Sequence, residues 1–131
     1  MDISEELKRA AAKVREGIAE TIAGSGEIVD SVKKGATEAS GRALEKTQKA
    51  LAKVKETLAE AETKSAKEAE ATKVIVKEYL DNAGQAITDA GEELARAGAQ
   101  VKAKSIEGTE KAVDKVRKAL DKVEELIAKI K

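Results

Sequence analysis

The chain has 131 residues, and its 25 basic and 25 acidic side chains cancel at pH 7. A chain of this length encloses one ordinary hydrophobic core, so a single domain is expected, and the balanced charge provides no long-range attraction to nucleic acid or to an anionic membrane. Because both Cys and His are absent, the composition excludes disulfides, thiol nucleophiles and every metal site or general base that depends on these two residue types.

The composition also predicts an all-α fold. Phe, Trp and Pro are absent and Tyr79 is the only aromatic residue, so Ala, Val, Ile and Leu must form the core, and this mixture favours helix over sheet. The longest stretch without a charge, residues 82–88, is far shorter than the roughly 20 apolar residues that cross a bilayer. Ser4 followed by Glu5 and Glu6 has the pattern of a helix start and not of a signal peptide. We therefore expect a soluble protein without a signal peptide, whose localisation the sequence does not indicate.

Apolar residues in steps of three and four mark the first and last helices. The last run follows Gly108 and Thr109, which have the form of a helix stop and a new N-cap, and it predicts a helix over residues 109–131. The first run predicts a helix over residues 2–23 that ends in a turn at 24–26, because two glycines inside an exposed helix would cost about 2 kcal/mol. The residues of the two runs are Ile3, Leu7, Ala10, Val14, Ile18 and Ile22, and Val113, Val116, Leu120, Val123, Ile127 and Ile130.

The middle of the chain contains heptad repeats. Leu44, Leu51 and Leu58 are seven residues apart, as in the seam of a coiled coil. A second series consists of three Ala-Gly pairs, also seven residues apart, which we call the Ala/Gly ladder. Three glycines inside one helix would cost about 3 kcal/mol relative to alanine, a cost that the close approach of a second helix would offset. The ladder residues are Ala83, Gly84, Ala90, Gly91, Ala97 and Gly98.

These repeats predict helices over residues 27–62 and 66–107, with a chain reversal near Thr63 to Ser65. Ser65 and Glu68 have the spacing of a capping box, which supports a helix start at this point. The predicted fold is an antiparallel bundle of four helices, in which a long central hairpin packs with a short first and a short last helix. The expected register places Ala43 opposite Gly84, Ala36 opposite Gly91, Val29 opposite Gly98 and Leu51 opposite Val76. The segment 61–67 contains neither Gly nor Pro, so one continuous rod that pairs with another chain is an alternative.

The carboxylates and hydroxyls do not form a recognisable catalytic motif. Adjacent helical carboxylates, such as Glu5 with Glu6, Glu92 with Glu93 and Glu124 with Glu125, point about 100° apart, so we interpret them as solvated surface. The serines at 4, 25, 31, 40, 65 and 105 have no His to activate them and are interpreted as caps and surface residues. A di-metal bundle centre normally includes His, which this chain lacks. We therefore predict no enzyme activity and no catalytic, cofactor-binding or metal-binding residues.

The remaining candidate features indicate no binding partner. The sequence at 24–26 lacks the lysine and the spacing of a phosphate loop. The basic clusters, Lys33 with Lys34 and Lys102 with Lys104, have no aromatic residues interleaved that would stack on bases, so nucleic-acid binding is not expected. Tyr79, next to an apolar stripe, is interpreted as a packing residue. The Ala/Gly ladder remains a candidate surface for self-association.

The sequence resembles de novo designed helical bundles. The resemblance rests on the closing run 122–131, the surface of Glu and Lys, the absence of Cys, His, Phe, Trp and Pro, and the heptad repetition of Ala-Gly pairs. It departs from design practice in its nine glycines, which idealised helices exclude. The resemblance implies a scaffold without a natural ligand, a cofactor or a required partner.

Two alternatives involve different classes of protein. The balanced Lys and Glu content, together with spacings of eleven residues at Leu7, Ile18 and Val29, is similar to late-embryogenesis-abundant proteins and, more loosely, to exchangeable apolipoproteins. This similarity implies protection during drying or binding to lipid surfaces. The second alternative is a scaffold whose groove binds a partner helix.

Overall fold

The computed structural model describes residues 2–130 and contains four α-helices. They are α1 (Glu5–Lys33), α2 (Thr37–Ser65), α3 (Glu70–Lys102) and α4 (Ile106–Ala128). Each helix packs antiparallel to the next, and α4 returns against α1, so that the four helices surround one core. The prediction of an all-α antiparallel four-helix bundle is confirmed, with helices of 29, 29, 33 and 23 residues.

The core contains aliphatic side chains from all four helices. Because they recur every three or four residues, each helix turns one apolar stripe inward. Full burial of one such side chain contributes about 1.5 to 3 kcal/mol, so these stripes hold the bundle together. The largest fully buried side chains are Leu7, Val14, Ile18, Ile28, Val54, Val76, Leu80, Ile87, Leu94, Val116, Leu120 and Ile127.

The first turn lies ten residues later than the sequence predicts. The predicted end of the first helix at residue 23 is wrong, because α1 continues through residues 24–26 to Lys33. The helix ends where Gly35 adopts a left-handed conformation, with φ of 68°. The Ala36 amide donates to the Ser31 carbonyl at 3.0 Å and the Gly35 amide to the Val32 carbonyl at 3.0 Å, which is the Schellman termination of a helix.

The second turn lies close to its predicted position, although the predicted capping box does not form. The second helix begins at Thr37 and not at residue 27, and it ends at Ser65, next to the predicted reversal. The Ser65 hydroxyl donates back to the Glu62 carbonyl at 2.7 Å, while Glu68 Oε1 accepts from the Ser4 amide at 2.9 Å. The side chains expected to cap α3 therefore bind elsewhere.

The third turn precedes its predicted position. The third helix ends at Lys102 and not at residue 107. Two residues later, Lys104 has a left-handed φ of 57°. The last helix begins at residue 106 and not at 109, because the hydroxyl of Ser105 caps it by accepting from the Gly108 amide at 3.0 Å. Thr109 is a buried residue inside α4 and not its N-cap. Lys131, which the prediction included in the last helix, lies outside the described residues.

The predicted register between the second and third helices is wrong. Gly84, Gly91 and Gly98 lie opposite leucines of α2 and not opposite residues 43, 36 and 29, and Leu51 lies opposite Gly91 and not opposite Val76. The prediction paired small residues with small ones, whereas in the structure each glycine leaves room for a leucine side chain. A Cβ atom added to each glycine would lie 3.7 Å from Leu58 Cδ2 at Gly84, 3.8 Å from Leu51 Cδ2 at Gly91 and 3.2 Å from Leu44 Cδ2 at Gly98.

The bundle consists of two similar hairpins, α1–α2 and α3–α4. Their turns have the same geometry, since Gly35 and Lys104 both adopt left-handed conformations after the last helical turn. The two positions are 69 residues apart. When the sequence of the first hairpin is shifted by 69 residues, many of its buried positions coincide with buried positions of the second hairpin. Buried pairs at this separation include Leu7 with Val76, Ile18 with Ile87, Ala43 with Ala112, Leu51 with Leu120 and Val54 with Val123.

Candidate functional site

The glycine-rich segment of α1 is a helix–helix contact. A Cβ atom on Gly24 would lie 2.5 Å from Thr47 Oγ1, and one on Gly17 would lie 2.8 Å from Val54 Cγ2. Small residues one heptad apart therefore let α1 and α2 approach closely. The segment 24–26 is helical, so it is neither the predicted connecting turn nor a loop with free amides for an anion.

The buried hydroxyl groups are all engaged in local hydrogen bonds. Each donates to a backbone carbonyl three or four residues earlier in its own helix, an arrangement common for Ser and Thr inside helices. The interpretation of Ser25, Ser40 and Ser65 as surface or cap residues is wrong, because the structure buries all three. Ser4 is the N-cap of α1, where the sequence predicts a helix start, and Ser105 is the N-cap of α4. The buried donors are Thr21, Ser25, Ser40, Thr47, Ser65 and Thr109.

Each of the three adjacent carboxylate pairs has a member in an ion pair, and of these members only Glu93, whose side chain is 16% exposed, is mostly buried. Glu6 lies 3.5 Å from Lys64 Nζ and 3.7 Å from Lys67 Nζ. Glu124 lies 2.8 Å from Arg15 Nε, and Glu93 binds Arg96 within α3. Exposed pairs of this kind stabilise a protein by about 0 to 1 kcal/mol each, so they orient the helices weakly.

The ion pairs between helices all involve α1. Lys13 with Glu60 and Lys46 with Glu27 connect α1 to α2, in addition to the pair formed by Glu6. Arg15 with Glu124, and Lys33 with Glu110 at 3.5 Å, connect α1 to α4. Within residues 2–130, no ion pair connects α2 to α3 or α3 to α4. The contact between α2 and α3 therefore depends on apolar packing.

A groove of about 340 Å³ on the surface between α1 and α2 is lined mainly by charged side chains. Two lysines and four glutamates line it, so its formal charge is negative. In the described part of the chain, no group of three or more carboxylates is placed to hold a metal ion. The groove is lined by Lys13, Glu16, Gly17, Glu20, Lys53, Glu56, Thr57 and Glu60.

Two apolar features lie near the start of α3. Tyr79 packs against the core, and Lys129 Nζ lies 5.7 Å from the centre of its ring, within the range of a cation–π contact. Val74 and Ile75, by contrast, are 59% and 46% exposed. These two β-branched side chains form what we call the Val74–Ile75 patch.

The alanines of the Ala/Gly ladder face the inside of the bundle. Ala83, Ala90 and Ala97 are fully buried, while the neighbouring glycines lie against the leucines of α2. Gly84 and Gly91 are half-buried, and Gly91 lines a surface groove beside Leu51 and Lys55.

Comparisons with protein-family models, with curated proteins and with solved structures gave no match. None of the helices described in residues 2–130 has the length and apolar character needed to span a membrane. Within that part of the chain, every buried side-chain nitrogen and oxygen has a hydrogen-bond partner.

Proposed function

We propose that this chain is a helical scaffold of the designed type, which has no catalytic function and requires no ligand. The observation that carries the proposal is the complete local pairing of the buried polar groups. Active sites commonly hold polar groups that stay unpaired or strained until a substrate binds. Here the buried hydroxyls bond to their own helices, and each carboxylate pair considered as catalytic has a member that is held in an ion pair.

The Ala/Gly ladder has a structural role in this proposal. We infer that its glycines accommodate the leucines of α2 and that its alanines complete the core. An external partner helix would have to replace α2 and so break the packing of Leu51 and its neighbours. A scaffold that binds a foreign helix along the ladder is therefore disfavoured.

Thermal unfolding in plain buffer, followed by circular dichroism, tests the scaffold proposal. We expect strong helical signal, one cooperative transition and recovery of the signal on cooling, because one continuous core connects all four helices. The midpoint temperature of unfolding should not change when the small-molecule fraction of a cell extract is added to the protein. A reproducible rise in the midpoint would identify a stabilising small ligand and contradict the proposal.

One observation favours a second candidate, an amphipathic-helix protein that opens on lipid. The α2–α3 contact is the least extensive of the four contacts between neighbouring helices, and no ion pair connects these helices. Opening at this contact would expose two apolar faces, as binding to a lipid surface requires. Flotation with vesicles of mixed neutral and anionic phospholipids separates the candidates, because only the second predicts that the protein moves with the vesicles.

A further inference from the structure

The middle turn differs from the other two turns in its conformation. The turns between α1 and α2 and between α3 and α4 each contain one residue with positive φ, Gly35 and Lys104 respectively. A residue in this conformation stops a helix, because the chain cannot continue helically through it. The turn at residues 66–69 contains no such residue, and its sequence, Ala-Lys-Glu-Ala, consists of strong helix formers.

Little backbone change would convert the middle turn into helix. Ala66 is already helical, with φ of −62° and ψ of −20°. Ala69 has φ of −59°, within the helical range, and only its ψ of 147° is extended. No side-chain hydrogen bond caps α3 at Ala69. Rotation about a few bonds would therefore join α2 and α3 into one helix over residues 37–102, about 100 Å long at 1.5 Å per residue.

The apolar stripe continues in phase through this turn. From Leu58 on α2 to Leu80 on α3, small and apolar residues recur in steps of three and four, as on one face of a helix. A joined helix would therefore present one unbroken stripe. These positions are Leu58, Ala61, Ser65, Ala69, Thr72, Val76 and Leu80.

The register between α2 and α3 has the symmetry that an exchange between two chains requires. Leu58 faces Gly84, Leu51 faces Gly91 and Leu44 faces Gly98. Each pair of residue numbers is centred on residue 71, so two joined helices related by a twofold axis at that position would form the same contacts between chains. A symmetric dimer of this type is the commonest closed assembly.

We propose that residues 66–69 are a hinge, and that the chain opens there to exchange its α3–α4 hairpin with a second copy of itself. In the exchanged dimer, each α1–α2 hairpin packs against the α3–α4 hairpin of the other molecule. The core contacts of the bundle form again, and the ion pairs Arg15 with Glu124 and Lys33 with Glu110 form between the two molecules. Domain swapping of this kind costs little, because it replaces intramolecular contacts by identical intermolecular ones.

Refolding of the full chain at low and at high protein concentration tests the proposal. The mass from light scattering should be that of a monomer after dilute refolding and that of a dimer after concentrated refolding. X-ray scattering should give a radius of gyration of about 16 Å for the closed bundle and about 30 Å for the dimer, as calculated from helix lengths at 1.5 Å per residue. A monomer at every concentration, or a compact dimer with a radius of gyration near 20 Å, would overturn the hinge proposal.

Glu70→Pro is the matched variant that closes the hinge. Residue 70 is the first of α3, where proline is well accommodated, and the extended Ala69 before it has the conformation that a following proline requires. Inside the joined helix, the same proline would remove a hydrogen bond and clash with the preceding turn. We expect an unchanged monomer and a dimer dissociation constant raised by about 100-fold or more.

Glu70→Ala serves as the control for Glu70→Pro. It removes the same carboxylate but permits the joined helix, so the dimer should form as it does in the unmodified chain. If Glu70→Pro dimerises as readily as Glu70→Ala, association does not use the hinge and the proposal is wrong. Circular dichroism of both variants at low concentration verifies that the closed bundle folds.

Discussion

Gly24 and Gly26 are two positions apart on α1, but their surroundings differ completely. A Cβ atom on Gly24 would lie 2.5 Å from Thr47 Oγ1, whereas one on Gly26 would have nothing within 4 Å. Thr47 cannot move away easily, because it is fully buried and its hydroxyl donates to the Ala43 carbonyl at 2.7 Å. One glycine is therefore required by packing and the other is not.

The first prediction compares alanine at these two positions. Gly24→Ala should lower the free energy of unfolding by about 1 to 3 kcal/mol through overpacking. Gly26→Ala should raise it by about 0.5 to 1 kcal/mol, because alanine loses less backbone entropy in a helix. Urea unfolding followed by circular dichroism measures both. Equal effects of the two substitutions would mean that α1 and α2 do not approach closely at Thr47.

The second prediction concerns the left-handed residues of the two outer turns. Lys104 has a φ of 57°, a conformation that costs a residue with a side chain about 1 to 2 kcal/mol. Lys104→Gly should therefore raise the free energy of unfolding by about 1 kcal/mol, and Gly35→Ala should lower it by a similar amount. The same urea titration compares them. A loss of stability in Lys104→Gly would show that the lysine side chain contributes more than its backbone conformation costs.

At the scale of the helices, the glycines of the Ala/Gly ladder lie against leucine side chains of α2. The third prediction is that Gly91→Ala is tolerated or stabilising by up to about 1 kcal/mol, because its Cβ would lie 3.8 Å from Leu51 Cδ2, an ordinary contact distance. Gly91→Leu should instead destabilise the protein by about 1 to 3 kcal/mol, because the larger side chain displaces that leucine.

Gly41→Ala is the control for the ladder series. A Cβ atom on Gly41, in α2, has nothing within 4 Å, so this substitution measures helix propensity alone. In thermal unfolding, Gly41→Ala and Gly91→Ala should have similar melting temperatures, and Gly91→Leu should have a clearly lower one. If Gly91→Leu is as stable as the unmodified chain, the ladder does not face α2.

The number of helices and their inward faces were predictable from the sequence, while two of the three turns were not. The periodic apolar runs around Leu7 and Leu120 indicate directly which face of each helix is buried. Glycine has two uses that a single sequence does not distinguish: Gly35 ends a helix through its positive φ, whereas Gly24 lets a neighbouring helix approach. Lys104 performs the role of Gly35 without being glycine, so no residue type marked that turn.

The same limit applies to the buried hydroxyls and to the register. Ser25 and Thr47 are buried because α1 and α2 approach closely, and this closeness is a tertiary property that local patterns do not contain. The heptads of leucine and glycine predicted that α2 and α3 pack together. They did not determine the register, since a shift of whole heptads or turns preserves much of the pattern.

The whole molecule is held together by its core more than by its charges. All the ion pairs between helices lie at the surface, and Arg15 with Glu124, at 2.8 Å, is the shortest of them. The fourth prediction is that Arg15→Ala lowers the free energy of unfolding by no more than about 1 kcal/mol. Leu120→Ala, at a fully buried position, should lower it by about 2 to 5 kcal/mol.

Chemical denaturation at low and at high salt compares the two contributions. Added salt screens exposed charges, so the difference between the unmodified chain and Arg15→Ala should shrink as salt increases. The effect of Leu120→Ala should not depend on salt in this way. A larger loss from Arg15→Ala than from Leu120→Ala would mean that the α1–α4 contact is electrostatic in origin.

Tyr79 is an intrinsic optical probe of the folded protein. It is the only aromatic residue in the sequence, so near-ultraviolet absorption and emission come from one ring, which packs on the core beside Lys129. Its emission therefore reports on α3 and the end of α4, whereas the far-ultraviolet signal averages over all helices. If the two hairpins separate before they melt, the two signals will change at different denaturant concentrations, and coincident transitions will show that they melt as one unit.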